Sequence, residues 1–375
     1  MLIERKYDDL SIYFRENKIL IIYGPRQVGK TTLVKNFLQN SNYKFKYETG
    51  DNIVTKEVFM DKNLKNLLEY VEGFDVLVID EAQKIPDIGV GLKMLVDAKV
   101  ETKIIVTGSS SFELSDKIGE TLTGRKITLT MYPVALNELD KKYSKHELDS
   151  KIEDFLIFGM YPEILVSKTK KEKMLLINEL ANSYLLKDVL AMDNIKNSKS
   201  LFNLLRLIAY QIGNQVSMNE LGKQLGIDTK TVGRYLDILE KSFVLYNLTG
   251  FSKNLRKEIT KKGIYYFYDV GIRNALISNF NHIDKRNDVG MLWENFLFME
   301  RLKYRKYNNI FANTYFWRTW DGQEIDLIEE REGKLFGYEF KWGKKDSFVP
   351  NAWADNYAEG EYQVINRKNY KSFVI

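Results

Sequence analysis

The chain contains no cysteine, which excludes disulfides, thiolate metal sites and a cysteine nucleophile. Its two histidines, His146 and His282, lie far apart in sequence, so neither a zinc site nor a Ser-His-Asp triad is expected. Apolar runs are short, such as Ile19–Tyr23, Val76–Ile79 and Ile104–Val106. A bilayer span needs about 20 apolar residues, so no transmembrane helix and no membrane partner are expected. The opening MLIERKYDDL mixes both charge signs and lacks an apolar segment, so no signal peptide is expected and the expected location is cytoplasmic.

Hydrophobic residues make up 44% of the 375 residues and aromatics 13%, enough for packed cores and too much for a disordered chain. The length suits two or three domains. The net charge of +5 is unevenly placed. Residues 1–220 carry 31 basic and 31 acidic residues, 291–375 carry 13 and 13, and 221–290 carry 12 and 7. A local basic excess points to nucleic acid at that stretch; the plainer explanation is a solvated lysine-rich surface.

Three zones follow. Residues 1–145 alternate strands (KILIIYG, KFKYETG, FDVLVID, TKIIVTGSS, RKITLT) with amphipathic helical patterns, the pattern of an α/β fold with a parallel sheet. Residues 146–290 are mostly helical by leucine periodicity. Residues 291–375 open with the amphipathic LWENFLFMERLKYR and continue with strand-like runs, an α+β pattern.

Gly24-Pro25-Arg26-Gln27-Val28-Gly29-Lys30-Thr31 fits G-x-x-x-x-G-K-[ST], with a strand before it and a helical pattern from Thr32 onward. Glycines let backbone amides close on phosphate oxygens, and the helix start adds partial positive charge. Lys30 suits the β- and γ-phosphates of ATP, and Thr31 a Mg²⁺ ion. About 50 residues on, Val76–Ile79 ends in Asp80 and Glu81. Asp80 is the expected magnesium carboxylate and Glu81 the expected general base. Ile104–Thr107 runs into Gly108-Ser109-Ser110-Ser111; Ser109 or Ser110 would face the γ-phosphate, or else cap a helix. Arg125, the sole arginine between Arg26 and Arg206, suits transition-state charge in cis or on a neighbouring subunit of a homo-oligomer; equally it opens a strand at the surface.

GPRQVGKTTL, VLVIDEAQ, VTGSSS and LTGRKITLTMYPVALNEL resemble the AAA-type ATPases of archaea and bacteria that carry a C-terminal domain of unknown function. The resemblance extends through GMYPEIL (159–165) and GMLWENFL, GQEIDLI and YEFKW. It implies ATP binding and hydrolysis, with Gly24–Thr31, Asp80 and Glu81 in matching positions.

Met218–Leu225, the turn at Gly226, and Thr229–Lys241 capped by Asp228 have helix-turn-helix spacing. Phe243–Leu248 and Gly263–Tyr268 would add a hairpin, completing a winged helix within about 200–270. Lys230, Arg234 and Lys241 share one face, and Lys253, Arg256, Lys257, Lys261 and Lys262 fall at the hairpin tip. Duplex DNA fits this pattern, with Lys230 and Arg234 at the groove and Arg256 and Lys257 on phosphates. Protein contacts fit it too.

Asp326, in QEIDLI, stands thirteen residues before Glu339-Phe340-Lys341, and Glu294 lies on the preceding helical pattern. Glu339 and Lys341 fall on one strand face about 7 Å apart. This resembles the PD-(D/E)xK restriction-endonuclease-like core. The resemblance implies a divalent metal at Glu294, Asp326 and Glu339 with Lys341 beside it; Ile325 stands where that motif has proline. The expected function is a Mg-dependent ATPase coupled to DNA binding, with the C-terminal end open between metal-dependent cleavage and a degenerate nuclease-like domain that binds DNA or merely packs. The alternative is a nucleotide-gated binding module without turnover or cleavage.

Overall fold

Val76–Asp80 is buried at every position and Ile19–Ile22 likewise, as strands covered by helices on both faces must be. These are central strands of a five-stranded parallel sheet in the computed structural model, which describes residues 3–108, 121–192, 198–251, 263–343 and 348–375. The amino-terminal elements are β1 (Ile19–Tyr23), α1 (Lys30–Gln39), β2 (Phe45–Thr49), α2 (Ile53–Asp61), α3 (Leu64–Val71), β3 (Val76–Asp80), α4 (Ile88–Asp97), β4 (Lys103–Gly108) and β5 (Lys126–Thr130). The strand order is β2-β3-β4-β1-β5, every neighbouring pair parallel. The carboxyl ends of β1, β3 and β4 therefore lie side by side, where an α/β sheet receives its ligand.

A helical stretch follows: α5 (Leu136–Leu139), α6 (Lys145–Phe158), α7 (Pro162–Val166), α8 (Lys170–Met192), α9 (Ser198–Tyr210), α10 (Met218–Leu225) and α11 (Thr229–Lys241). Ser217 caps α10 through the Glu220 amide at 3.4 Å, and Asp228 caps α11 through the Thr231 amide at 2.8 Å. Between them Gly226 takes the left-handed φ of 66° that ends a helix.

Then come β6 (Leu245–Gly250), β7 (Ile264–Phe267), α12 (Val270–Leu276), α13 (Val289–Tyr307), β8 (Asn313–Arg318), β9 (Glu324–Arg331), β10 (Lys334–Phe340), α14 (Asn351–Asn356), β11 (Glu361–Ile365) and α15 (Tyr370–Val374). A second sheet runs β11-β10-β9-β8-β6-β7. β6 and β7 form an antiparallel hairpin, and β6 also pairs parallel to β8, so one sheet crosses residue 290.

α13 is the element on which both halves rest. It buries Leu292, Trp293, Phe296 and Leu297 in a core that continues from Leu20 to Phe373. Each large apolar side chain taken from water contributes about 1.5–3 kcal/mol. At its far end the Leu136 amide donates to Glu300 at 2.6 Å, and Lys303 Nζ donates to the Val134 carbonyl at 3.2 Å. Asn295 bonds both backbone groups of Phe267, each at 2.8 Å, covering the edge of β7 as a further strand would.

Candidate functional site

Gly24 through Lys30 form the turn from β1 into α1. Gly24 has a φ of 148°, and a Cβ there would sit 1.9 Å from the Met131 carbonyl oxygen, so no other residue fits. Lys30 is buried, with Nζ donating to the carbonyls of Gly24 at 2.8 Å and Pro25 at 2.6 Å. Val28 is buried and Gln27 exposed. Gly29 caps α1 with φ 97°. The first amides of a helix have no intrahelical partner and face a ligand readily; Thr31 and Thr32 follow at this start.

Thr31 Oγ1 donates to Asp80 Oδ2 at 2.8 Å. Tyr47 on β2 donates its hydroxyl to the same oxygen at 2.6 Å, and Thr107 on β4 donates to Oδ1. Asp80 is buried, and these three hydroxyls satisfy it. Burial and the neighbouring Asp80 push the Tyr47 hydroxyl well above its ordinary value, so it stays a donor. Oxygen-only groups of this kind suit Mg²⁺, which keeps most of its waters.

Glu81 follows in the left-handed region, φ 52°, and its amide donates to Thr107 Oγ1 at 3.1 Å. The turn swings its carboxylate onto Lys84, which also holds Asp51 at 2.5 Å. Hydrogen bonds to Asp51 and then Glu81 raise the Lys84 ammonium, so it stays charged. Glu81 is thus beside the site but directed to Lys84.

Ser109 and Ser110 lie outside the described residues. Thr107, two residues before Ser109 on β4, is the polar side chain that reaches Asp80. Its position as the polar residue closing Ile104–Val106 was the available signal. Arg125 needs correcting as a residue for the same chain's nucleotide. It precedes the amino end of β5, with its carbonyl accepting from Ile19 at 2.9 Å, and its Nε donates to Asp97 at 2.6 Å. The strand ends that face the phosphate loop are the opposite ones.

Beside the loop, Ile3, Arg5, Asp8, Gly29, Leu33 and Pro162 are among the walls of a cavity of about 220 Å³. Arg5 is buried, and its guanidinium donates to Val28 O, to Tyr132 O at 2.7 Å and to Glu138 Oε1 at 3.0 Å. Pro162 opens α7 after Gly159, whose φ is 80° and whose added Cβ would meet Asp269 Oδ1 at 1.9 Å. Asp269 accepts the Met160 amide at 2.7 Å and the Gly271 amide at 2.9 Å. Nothing in the local pattern of Arg5 or Asp269 marked them.

On α11, Lys230 and Arg234 are exposed one turn apart, and Lys241 pairs with Asp237 at 3.1 Å. Arg256 and Lys257, with Lys253, Lys261 and Lys262, lie outside the described residues.

At the C-terminal end the register pairs Leu327 with Tyr338, which puts Asp326 opposite Glu339. Phe340 N donates to Asp326 Oδ2 at 2.7 Å, Lys341 Nζ to Glu339 Oε1 at 2.5 Å, and the Tyr266 hydroxyl to Glu294 Oε1 at 2.6 Å. Burial raises all three carboxyls, Glu294 to about 7. Repulsion from Glu339 adds to the shifts of Glu294 and Asp326, and repulsion from Glu324 to that of Glu339. Glu339 is buried, and its Oε2 has no hydrogen-bond partner. The acids are gathered, but among the described residues no three His, Cys, Asp or Glu side chains are arranged to hold a metal as they stand. Glu294, Asp326 and Glu339 are therefore neighbours rather than a finished cage.

Among the described residues no helix is long and apolar enough to cross a membrane. Residues 149–282 match a domain of unknown function, DUF8612, and 289–361 match another, DUF4143. An uncharacterized protein of Mycobacterium tuberculosis is 26% identical over 348 residues, covering 91% of this chain and 74% of that one. One from Methanocaldococcus jannaschii is 26% identical over 314 residues, 78% of this chain and 68% of its own. One from Haemophilus influenzae is 21% identical over 371 residues, 89% and 85%. A RuvB variant from Thermotoga maritima superposes with a TM-score of 0.28 and 15% identity over 61% of this chain and 81% of that one, which carries nothing about the fold. Residues 16–140 match the family model described as an AAA domain, and with the parallel sheet and the phosphate loop this match supports a nucleotide-binding P-loop ATPase of the AAA type.

Proposed function

We propose that the chain binds Mg-ATP at the β1–α1 turn, hydrolyses it, and couples turnover to nucleic acid. The observation that carries this is the 2.8 Å hydrogen bond between Thr31 and Asp80, residues 49 apart in sequence. A hydroxyl and a carboxylate meeting beside a glycine-lined helix start is the oxygen set that Mg-ATP requires.

In this reading Lys30 turns from the Gly24 and Pro25 carbonyls to the β- and γ-phosphates. Thr31 and Asp80 would hold the magnesium. When bound, the ion neutralises charge that builds on the phosphate oxygens. Glu81 leaves Lys84 and takes the proton of the attacking water. Thr107 keeps Asp80 oriented. The cavity of about 220 Å³ receives the base against Ile3 and Leu33, and Arg125 is left for a neighbouring subunit's nucleotide in a homo-oligomer.

The helix-turn-helix of α10 and α11 with the β6–β7 hairpin forms a winged helix, and Lys230 and Arg234 give it an exposed basic face for DNA. ATP turnover measured for the wild type and Lys30→Ala, with and without duplex DNA, tests the reading. Turnover that vanishes in the variant and rises with DNA is expected. Equal rates in the two proteins would remove the ATPase.

A metal-dependent nuclease is the second reading, favoured by the buried Glu339 oxygen without a partner. Asp326, Glu339 and Glu294 would close on a divalent cation once Lys341 and Tyr266 release their carboxylates; bound there, the cation would polarise a phosphodiester. Cleavage with Mn²⁺ that Asp326→Ala abolishes is the expected result, and cleavage unaffected by it points elsewhere. A nucleotide-gated binding module would instead retain ATP stoichiometrically without turnover.

A further inference from the structure

Glu329 on β9 is wholly buried, and three arginines surround it. Arg301 on α13 takes both of its oxygens, Nε donating to Oε1 at 2.8 Å and Nη2 to Oε2 at 2.9 Å. That paired geometry is the strongest a guanidinium and a carboxylate can make. Arg305, one helical turn on, and Arg331 stand at 3.2 and 3.7 Å from the same carboxylate. One negative charge therefore faces three positive ones, and a buried charge is costly unless it is paired and hydrogen-bonded.

Arg305 bears most of that shortfall. It is 5% exposed. Among the described residues its hydrogen bond runs from Nη1 to the Ala312 carbonyl at 3.4 Å, and its buried Nε has no partner. Burial lowers the guanidinium from its ordinary value; Glu329 opposes this, while Arg301 and Arg331 add to it. An anion beside Arg305 would supply both the missing charge and the missing acceptors.

The space for one is present. Arg305 is a wall of a cavity of about 290 Å³ between the end of α13, the chain that follows it, and β5, the edge strand of the parallel sheet. Lys306 adds an exposed second cation to the same walls. Thr128 and Thr130 bring hydroxyls from β5, and Tyr7 and Tyr13 bring phenols from the amino-terminal segment. Burial raises both phenols above their ordinary value, so they stay donors. Among the described residues no carboxylate lines the cavity. The acids that act on its walls do so from outside: Glu329 on Arg305, Asp9 on Tyr13, and Glu138 on Tyr7, the last already paired with Arg5.

Two cations among hydroxyl donors suit a phosphate dianion, whose oxygens take several hydrogen bonds each and whose charge matches Arg305 and Lys306. A single carboxylate would leave one cation unmatched. A water fills about 30 Å³ of liquid, so one phosphate leaves room for an organic group, against Leu129, Ile310 and Phe311. No residue of Gly24–Thr31 lines this cavity, so it is separate from the phosphate loop.

We propose that the cavity between β5 and the end of α13 is a second anion site, which binds a phosphate monoester against Arg305 and Lys306. The proposal depends on neither the ATPase nor the nuclease reading.

The experiment titrates the full chain by calorimetry with phenyl phosphate, inorganic phosphate and phenol. Wild type, Arg305→Gln, Lys306→Gln, Tyr7→Phe and Lys30→Ala are compared. Phenyl phosphate is expected to bind more tightly than inorganic phosphate, and phenol hardly at all. Its affinity should fall about tenfold or more in Arg305→Gln and about 2- to 10-fold in Lys306→Gln and Tyr7→Phe, and persist in Lys30→Ala. Arg301 still holds Glu329 in Arg305→Gln, so that variant should fold, as its melting curve checks. Lys306→Gln changes an exposed side chain and decides the matter if it does not. Equal affinity in wild type, Lys306→Gln and Tyr7→Phe overturns the site. So does binding lost only in Lys30→Ala, which assigns it to the phosphate loop, and so does the absence of heat with either phosphate. Phenol bound as well as phenyl phosphate makes the cavity merely apolar and overturns it too. A 5′-phosphorylated oligothymidylate, set against its unphosphorylated form, separates the sources of the ester. Preference for the phosphorylated strand over phenyl phosphate identifies a nucleic-acid end, and the converse a free small molecule; either supports the site.

Discussion

Arg5 and Glu138 meet in the interior, Nε to Oε1 at 3.0 Å, although they are 133 positions apart in the chain. The same guanidinium grips Val28 in the phosphate loop, and the same carboxylate accepts the amides of Lys6 at 2.8 Å and Ala135 at 2.9 Å. One step on, Leu136 is held by Glu300 of α13. The loop is therefore tied from behind to the helix that carries Glu294.

Arg5→Ala should weaken both folding and nucleotide binding. Removing one partner of a buried pair leaves an unpaired carboxylate, which costs about 3–5 kcal/mol. The phosphate loop also loses its anchor at Val28, so affinity for a fluorescent ATP analogue should fall about tenfold or more. Denaturant melts and titrations check the two effects. Arg5→Met with Glu138→Leu should regain only part of the stability, because it removes the buried pair but leaves the Lys6 and Ala135 amides and the Val28 and Tyr132 carbonyls without these partners, and it should not regain the affinity. Recovery of both would show that the pair matters only for folding.

Lys84 holds Glu81 and Asp51 together, and that contact competes with the base role proposed for Glu81. Lys84→Met should raise basal ATP turnover several-fold while leaving ATP affinity unchanged. Glu81→Gln should keep ATP binding and lose about 10²- to 10⁴-fold in turnover. Steady-state rates with a separate binding titration read both. A slower Lys84→Met enzyme would mean that the lysine assists the chemistry.

The helices α10 and α11 occupy the spans their sequence pattern suggests, because Ser217, Asp228 and Gly226 act on their own neighbours. The phosphate loop was equally legible, since all its parts lie within eight residues. Contacts between distant segments were not. Tyr47 and Asp80 are 33 residues apart, and Thr107 and Asp80 are 27 apart; only the parallel registry of β2, β3 and β4 brings them together. Arg125 was open between three roles, and the sheet direction removes only the one on its own chain's nucleotide. Its residue type suits phosphate, but the strand it precedes runs from the wrong edge of the sheet. The acids near Asp326 were readable by period two along β9 and β10, whereas the donors that now occupy them, Tyr266 and the Phe340 amide, were not.

Gly159 joins α6 to α7, downstream of the five-stranded sheet. Its φ of 80° and the 1.9 Å approach to Asp269 leave no room for a side chain. Gly159→Ala should destabilise the fold by about 2 kcal/mol or more, from the left-handed backbone and the displaced carboxylate together. Asp269→Asn keeps the shape and retains one acceptor oxygen, so its loss should be smaller. Thermal melts rank the two, and the reverse order would contradict the steric account.

Glu294 gives a pH dependence of definite sign. Burial is the main reason its carboxyl rises from 4.5 to about 7, and repulsion from Glu324 and Glu339 adds to it, against the hydrogen bond from Tyr266. The folded chain then holds this proton more tightly than the unfolded one. Its stabilising contribution is complete below the unfolded value and is lost as pH rises through about 7. Glu294→Gln, neutral at every pH, should therefore melt with the wild type near pH 4 and a few degrees above it near pH 8. Melting curves across that range read the gap directly. A gap that opened on acidification instead would mean the ionised carboxylate is the favoured form, and the crowding of acids at the end of β9 would not be what raises it. Added Mn²⁺ should narrow the gap near pH 8 if the three acids close on a cation, since only the wild type keeps all three charges to offer.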